Sequence, residues 1–305
     1  MEPIAYFQGR FVPFSQVQIA PFDGGFVQGT TVAEQLRTFG GRLFQLERHL
    51  ARLSRSLGIV GVDLDVSLGT LGEIARSIAR YNHGLLADGD DLGLSIFVTP
   101  GVYSAFAHDA KGGPLVCVHT YPVAFKTFAR RYDSGQPLVV TKVRQVPSEC
   151  WPAELKCRSR MHYFLADREA RQRDPDARAL LLDLDGGVTE ASTANVVAYF
   201  QGEGLVSPPK EKILPGITVA ELESIASQVG VPMTYRDLRP EELAKSDELF
   251  LTSTSPCLIP CTKLDGLPIG TGQPGPIFHR LITAWDRHVG IDIREQARRF
   301  ANRVG

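Results

Sequence analysis

Five groups of residues have the types and spacing to do chemistry. Lys156 lies in ECWPAELKCRSRMHYF, one of eight lysines in a chain far richer in arginine. A lysine in low-dielectric surroundings gives up its proton more readily and can form a Schiff base. Glu190 lies in ALLLDLDGGVTEASTANVVAYF (179–200), enclosed by Thr189, Ala191, Ser192 and Thr193. A carboxylate held among small residues beside a sheet can be aimed at one ligand atom. Gly216, Ile217 and Thr218 open a strongly periodic helix, whose first N–H groups lack intrahelical partners and make an anion cradle. Thr252, Ser253, Thr254 and Ser255 end a strand and offer N–H and hydroxyl donors to another anion. Arg52, one turn after His49, carries the planar fork of donors that suits a phosphate.

Each group also has an ordinary alternative. These are a solvated turn glutamate, a helix cap worth about 1 kcal/mol, a Ser/Thr-rich loop, and an arginine lying over apolar neighbours. For Lys156 it is a surface lysine at a helix start, where a positive charge opposes the helix dipole. Taken together, the groups supply an amine, a carboxylate and three sets of donors for a phosphate. Pyridoxal phosphate needs that set: a lysine for its aldehyde, an acid for its ring nitrogen and donors for its phosphoryl group.

The elements that position these groups follow from periodicity and turn chemistry. Val32 to Phe39 is strand-like, and Gly40-Gly41 turns it into Arg42-Leu43. Leu46, Leu50, Leu53 and Leu57 form a helical stripe that Gly58 ends, and a second helix spans 66–83. Strands follow at 94–98 and 115–123. The polar, basic stretch 125–135 reads as a linker between an N-terminal α/β domain, 1–124, and a C-terminal domain, 136–305. In the second domain a strand at 138–143 leads to a helix over 157–172 with Lys156 at its entrance. A hairpin of 179–183 and 195–200 then brackets Glu190. Val219, Leu222, Ile225, Ala226 and Val229 make the helix that Gly230 stops. A strand at 231–235, a short helix at 241–246, a strand at 248–252 and a last helix at 277–289 complete the chain.

Composition sets the outer bounds. A length of 305 residues favours two α/β-type domains, and 43% hydrophobic with 22% charged residues is an ordinary soluble balance. A net charge of −1 favours neither nucleic acid nor a membrane surface as partner. The five cysteines are scattered and odd in number, which reads as reduced thiols in a cytoplasmic protein. No metal site is expected: Cys257-x-x-x-Cys261 has no histidine nearby, and a calcium loop from Asp183 would put Gly187 at its third ligand.

The segments FDGGFVQGTTVAE, FQLERHLARL, LKCRSR, LLLDLDGGVTEASTANVV, LPGIT and ELFLTSTSPCLIPCTKLDG resemble, in order, those of the class IV, fold-type IV aminotransferases. That group holds branched-chain aminotransferases, D-amino acid transaminases and aminodeoxychorismate lyases. The resemblance runs from about Ile4 to Gly275 and implies a two-domain α/β (α+β) fold and a homodimer. It implies a pyridoxal phosphate enzyme that moves an amino group between an amino acid, branched-chain ones being a candidate class, and a 2-oxo acid. It also implies site residues: Lys156 for the cofactor aldehyde and Glu190 for the ring nitrogen. Arg52, Gly216, Ile217, Thr218 and Thr254 would hold the phosphate, with Thr254 and Ser255 for a substrate carboxylate.

The sequence departs from the family at the substrate end. Met161 stands where branched-chain enzymes carry a tyrosine, and Tyr163 is two further on. Ala33 replaces an aromatic residue and would widen the substrate pocket. Pro100 replaces an arginine that D-amino acid transaminases use. A lyase that eliminates pyruvate and a ligand-binding chain without catalysis remain alternatives. So does, more remotely, a magnesium-dependent phosphohydrolase in which Asp183 and Asp185 of LLLDLDGG would act.

Overall fold

The computed structural model describes residues 1–106 and 112–303. Contacts divide the chain into two units. One is Met1–Val123 with Leu155–Ser159; the other is Ala124–Glu154 with the chain from Arg160 onward.

The first unit contains β1 (Ile4–Phe7), β2 (Arg10–Pro13), a single turn of helix α1 (Gly24–Val27), β3 (Val32–Phe39) and β4 (Arg42–Leu43). Helices α2 (Leu46–Val60) and α3 (Leu68–His83) follow, then β5 (Leu92–Thr99) and β6 (Leu115–Pro122). The strands make one antiparallel sheet in the order β2-β1-β6-β5-β3-β4. Strand side chains alternate between faces, so Val32, Leu36, Leu94, Ile96, Val98, Val116 and Val118 form one apolar layer. Leu46, Leu50, Leu53 and Leu57 of α2 and Leu71, Ala75 and Ile78 of α3 pack on it. The leucine stripe is as the periodicity predicts. Gly58 does not end α2, however: the helix runs to Val60 and Gly61 caps it at φ 67°, a left-handed position that favours glycine. The opposite sheet face carries Ala5, Phe7, Ala33, Phe97 and Cys117.

The second unit begins with α4 (Phe125–Phe128), α5 (Arg131–Ser134) and β7 (Pro137–Val140), then α6 (Met161–Arg173). Strands β8 (Arg178–Leu182), β9 (Val188–Ala191), β10 (Ala194–Phe200) and β11 (Gly204–Ser207) lead to α7 (Ile217–Gln228). The unit continues with β12 (Met233–Tyr235), α8 (Pro240–Leu243), β13 (Glu248–Ser253), β14 (Cys257–Cys261), β15 (Lys263–Leu264) and β16 (Leu267–Pro268). It ends with α9 (Pro276–Val289) and α10 (Ile293–Phe300). The sheet is mixed, ordered β12-β11-β10-β9-β8-β7-β15-β16, with β13 joining β10 to β14.

Four sequence expectations are corrected here. Residues 125–135 are no open linker but α4 and α5, since Phe125, Phe128 and Tyr132 are buried, with Tyr132 1% exposed. The helix expected over 157–172 starts only at Met161, because 156–158 is held in extended pairing beside β3. Glu190 is not in a loop between two strands but on a strand of its own, β9, joined to β10 by a tight turn with Thr193 at φ 63°. A further helix, α10, follows α9; Asp292 caps it and Ile293, Ala297 and Phe300 are buried.

Leu53 is fully buried at the centre of the first unit's core. Leu53→Ala is expected to destabilise that unit by about 2–5 kcal/mol, read as a lowered calorimetric melting temperature. An unchanged melt would contradict the core assignment.

Candidate active site

Lys156 owes its place to main-chain pairing. The N–H of Ala33 donates to the Lys156 carbonyl at 3.1 Å, and the N–H of Arg158 donates to the Thr31 carbonyl at 2.7 Å. Cys157 thereby bridges Val32. Lys156 N–H donates to Ser56 Oγ on α2 at 3.1 Å, and Ser159 Oγ donates to the Gly29 carbonyl at 2.5 Å. Because Cys157 shares the face of Val32, alternation sends Lys156 and Arg158 to the face of Ala33. Lys156 is half-buried and Ala33 fully buried.

Arg52 is brought into a cluster that the sequence reading did not single out. Its Nε and Nη2 each donate to Glu34 at 2.7 Å, one to each carboxylate oxygen. His49 Nδ1 donates to Glu34 Oε2 at 2.7 Å. All three are buried, with Glu34 at 0% exposure. Burial alone would push the Glu34 carboxyl up; the hydrogen bonds from Arg52 and His49 outweigh it and hold the pKa at about 2. Burial pushes the His49 imidazole below its ordinary value, while Glu34 offsets part of that. Nδ1 therefore donates from a neutral ring. The bidentate grip fixes the plane of the Arg52 guanidinium. The available signal was period two on β3, which puts Glu34 between the core residues Val32 and Leu36.

In the second unit Glu190 is 4% exposed. Its Oε1 accepts from Tyr163 Oη at 2.6 Å and from Gln145 Nε2 at 2.7 Å. Burial, then the charge of Glu190, push the Tyr163 phenol well above its ordinary range, so it remains a donor. Asn195 links the acid to the opening of α7. Its Nδ2 donates to the Leu214 carbonyl at 3.0 Å and approaches Glu190 Oε2 at 3.5 Å, while Leu214 N–H approaches the same oxygen at 3.4 Å. A Cβ on Gly216 would collide with Asn195 Oδ1, so only glycine allows this approach. Ile217 and Thr218 begin α7, both 7% exposed. Asn195 pairs with Thr252 across β10 and β13, and Thr254 and Ser255 form the turn after β13. Tyr132 Oη donates to the Pro256 carbonyl at 2.8 Å and anchors that turn.

Glu190, Gly216, Ile217 and Thr218 are thus brought together within the second unit, with the strand leading to Thr254 and Ser255 beside them. Arg52, Ala33 and Lys156 belong to the first. Tests of fit for a bound polar group are favourable. Among the described residues, Gln145 Oε1 and Thr252 Oγ1 are buried without a hydrogen-bond partner, and buried polar atoms are rarely left so.

The amino-transferase class IV family model matches residues 31–264. The chain belongs to the class IV aminotransferases. A D-alanine aminotransferase of Bacillus licheniformis is 30% identical over 282 residues, covering 91% of this chain and 94% of that one. The fold matches the branched-chain amino acid aminotransferase of Escherichia coli at a TM-score of 0.85 and 23% identity, covering 93% and 94%. It also matches the branched-chain amino acid aminotransferase of Thermoproteus uzoniensis, solved with norvaline, at a TM-score of 0.83 and 24% identity, covering 97% of each. The chain is therefore a pyridoxal phosphate-dependent aminotransferase of fold type IV, and the phosphohydrolase alternative falls. LLLDLDGG instead makes the β8–β9 turn, where Asp183 accepts from the Gly187 N–H at 2.6 Å and from Lys212 Nζ at 3.0 Å.

Glu34→Gln leaves Arg52 buried beside a neutral partner and is expected to cost about 3–5 kcal/mol near neutral pH. The folded pKa of Glu34, about 2, lies below its ordinary 4.5. Its contribution is therefore full above pH 4.5 and lost as pH falls toward 2. Melts of both proteins should converge over that window; a constant gap would contradict the ion pair.

Proposed function

We propose that Lys156, Glu190 and the opening of α7 hold pyridoxal phosphate in this aminotransferase, which passes an amino group from an amino acid to a 2-oxo acid. The observation that carries the reading is the Glu190 carboxylate, buried and held at one oxygen by Tyr163 and Gln145. A carboxylate gripped in this way suits a cationic ring nitrogen. The N–H groups of Ile217 and Thr218, the Thr218 hydroxyl and Thr254 suit a phosphoryl group. Arg52 adds positive charge on the first unit. Thr254 and Ser255 would receive the α-carboxylate of the substrate, beside a pocket that Ala33 widens.

Bound there, pyridoxal phosphate supplies an aldehyde for amine exchange and a ring that stores the electron pair released at the substrate Cα. Lys156 Nζ, once displaced, takes and returns the Cα proton. Glu190 keeps the ring nitrogen protonated. Tyr163 and Gln145 fix which oxygen does so. We place the enzyme in the cytoplasm, as its five scattered cysteines suggest, and as a homodimer, as the family resemblance implies.

The test is a panel of D- and L-amino donors, branched-chain ones included, with 2-oxo acid acceptors and aminodeoxychorismate alongside. Purified protein is expected to be yellow and to transaminate at least one donor. Lys156→Ala should lose the colour and at least about 10³-fold in turnover. Pyruvate released from aminodeoxychorismate without any transamination would favour the lyase instead, and a colourless protein that cannot be reconstituted would contradict both.

A further inference from the structure

Glu190 sits on a β-bulge. Leu180 of β8 pairs with Ala191 of β9 and Leu182 pairs with Val188, so Leu181 stands opposite both Thr189 and Glu190. A bulge aims a side chain only while the extra residue stays in place, because a one-residue slip along a strand sends each side chain to the other face. Both ends of this bulge are pinned. At one end Asp183 N–H donates to the Gly187 carbonyl at 2.8 Å, and Gly187 N–H donates to Asp183 Oδ1 at 2.6 Å. At the other end Ser192, 1% exposed, is held at all three of its polar groups. Its N–H donates to the Ala179 carbonyl at 3.0 Å, its Oγ donates to Asp167 Oδ1 at 2.6 Å, and its carbonyl accepts from Arg178 Nη2.

Asp167 and Arg178 belong to neither β9 nor β10. In a regular antiparallel pair, facing residues exchange both main-chain bonds. Here Ala179 N–H donates to Asp167 Oδ1 at 3.1 Å, and Arg178 serves the Ser192 carbonyl and, at 2.9 Å, Thr193 Oγ1. An acid from α6 and a guanidinium from β8 thus close the sheet where β9 turns into β10, with Thr193 at φ 63°. Tyr163 and Asp167 lie one turn apart and so share a face of α6. The first donates to Glu190 and the second accepts from Ser192. The helix therefore grips β9 on both sides of Ala191, once at the acid and once at the strand that carries it.

We propose that Asp167 and Ser192 are positioning residues: the hydrogen bond between them locks the bulge and so aims Glu190 at the ring nitrogen of the cofactor. This rests on pyridoxal phosphate binding with that nitrogen at Glu190. The test compares the affinity of cofactor-stripped, full-chain protein for pyridoxal phosphate and for the analogue with C–H in place of the ring nitrogen. The ratio reads the acid–nitrogen contact, since the other contacts are common to both ligands. Wild type should prefer pyridoxal phosphate by about ten- to a hundred-fold, the worth of one charged hydrogen-bonded contact. E190Q should lose that preference. S192A and D167A should each lower it by about three- to ten-fold. The double variant should lower it no further than the larger single change, because both remove the same bond. D167N, which keeps an acceptor oxygen for Ser192, should retain most of it. A preference unchanged in S192A and D167A, whatever their melting temperatures, would overturn the proposal and leave Glu190 its role. Equal affinities in wild type, or a preference that survives in E190Q, would remove the Glu190 reading and this proposal with it.

Discussion

Two main-chain hydrogen bonds, Ala33 N–H to the Lys156 carbonyl and Arg158 N–H to the Thr31 carbonyl, are the constraint on which the first unit's chemistry depends. They lay a short segment, 155–159, along the exposed edge of β3, and period two then decides where each side chain goes. Leu155 packs against the helical core. Lys156 and Arg158 go to the other face with Ala33. A one-residue slip would exchange the two sets, burying two cations in an apolar layer, so the register is strongly specified. The same strand carries Glu34 toward the helices, where Arg52 and His49 close on it. One strand therefore orders both the amine and the guanidinium.

The second unit solves a different problem, satisfying a carboxylate out of water: Tyr163 and Gln145 donate to one of its oxygens at 2.6 and 2.7 Å. Tyr163 can do this only while protonated, and its own burial guarantees that. Asn195 then ties the acid to the segment that opens α7, which fixes the spacing between the two.

The strongly periodic parts of the chain were legible in sequence. The leucines of α2, the stripe of α7 and the long strand β3 each repeat often enough to outweigh local noise. Misses came where tertiary contacts override weak local preference. LKCRSR reads as a charged helix start, yet edge pairing makes it extended. VTEA is too short and too rich in small residues to announce β9. Phe125, Phe128 and Tyr132 fall on one helical stripe, but basic and polar neighbours hid it. In α10 only Ile293, Ala297 and Phe300 break a run of charges. Lys156, Glu190 and Ile217 stood out because their types are rare or their surroundings unusual. Glu34, Gln145 and Asn195 did not, because each acts through a partner distant in sequence.

The central claim is that the segment paired with β3 presents the one amine that bonds the cofactor. Borohydride reduction of the yellow protein fixes the cofactor to whichever amine holds it, and peptide mapping then reads the position among the eight lysines. The account predicts one pyridoxyl group per chain, on Lys156. A label on any other lysine, with Lys156 unmodified, would contradict it.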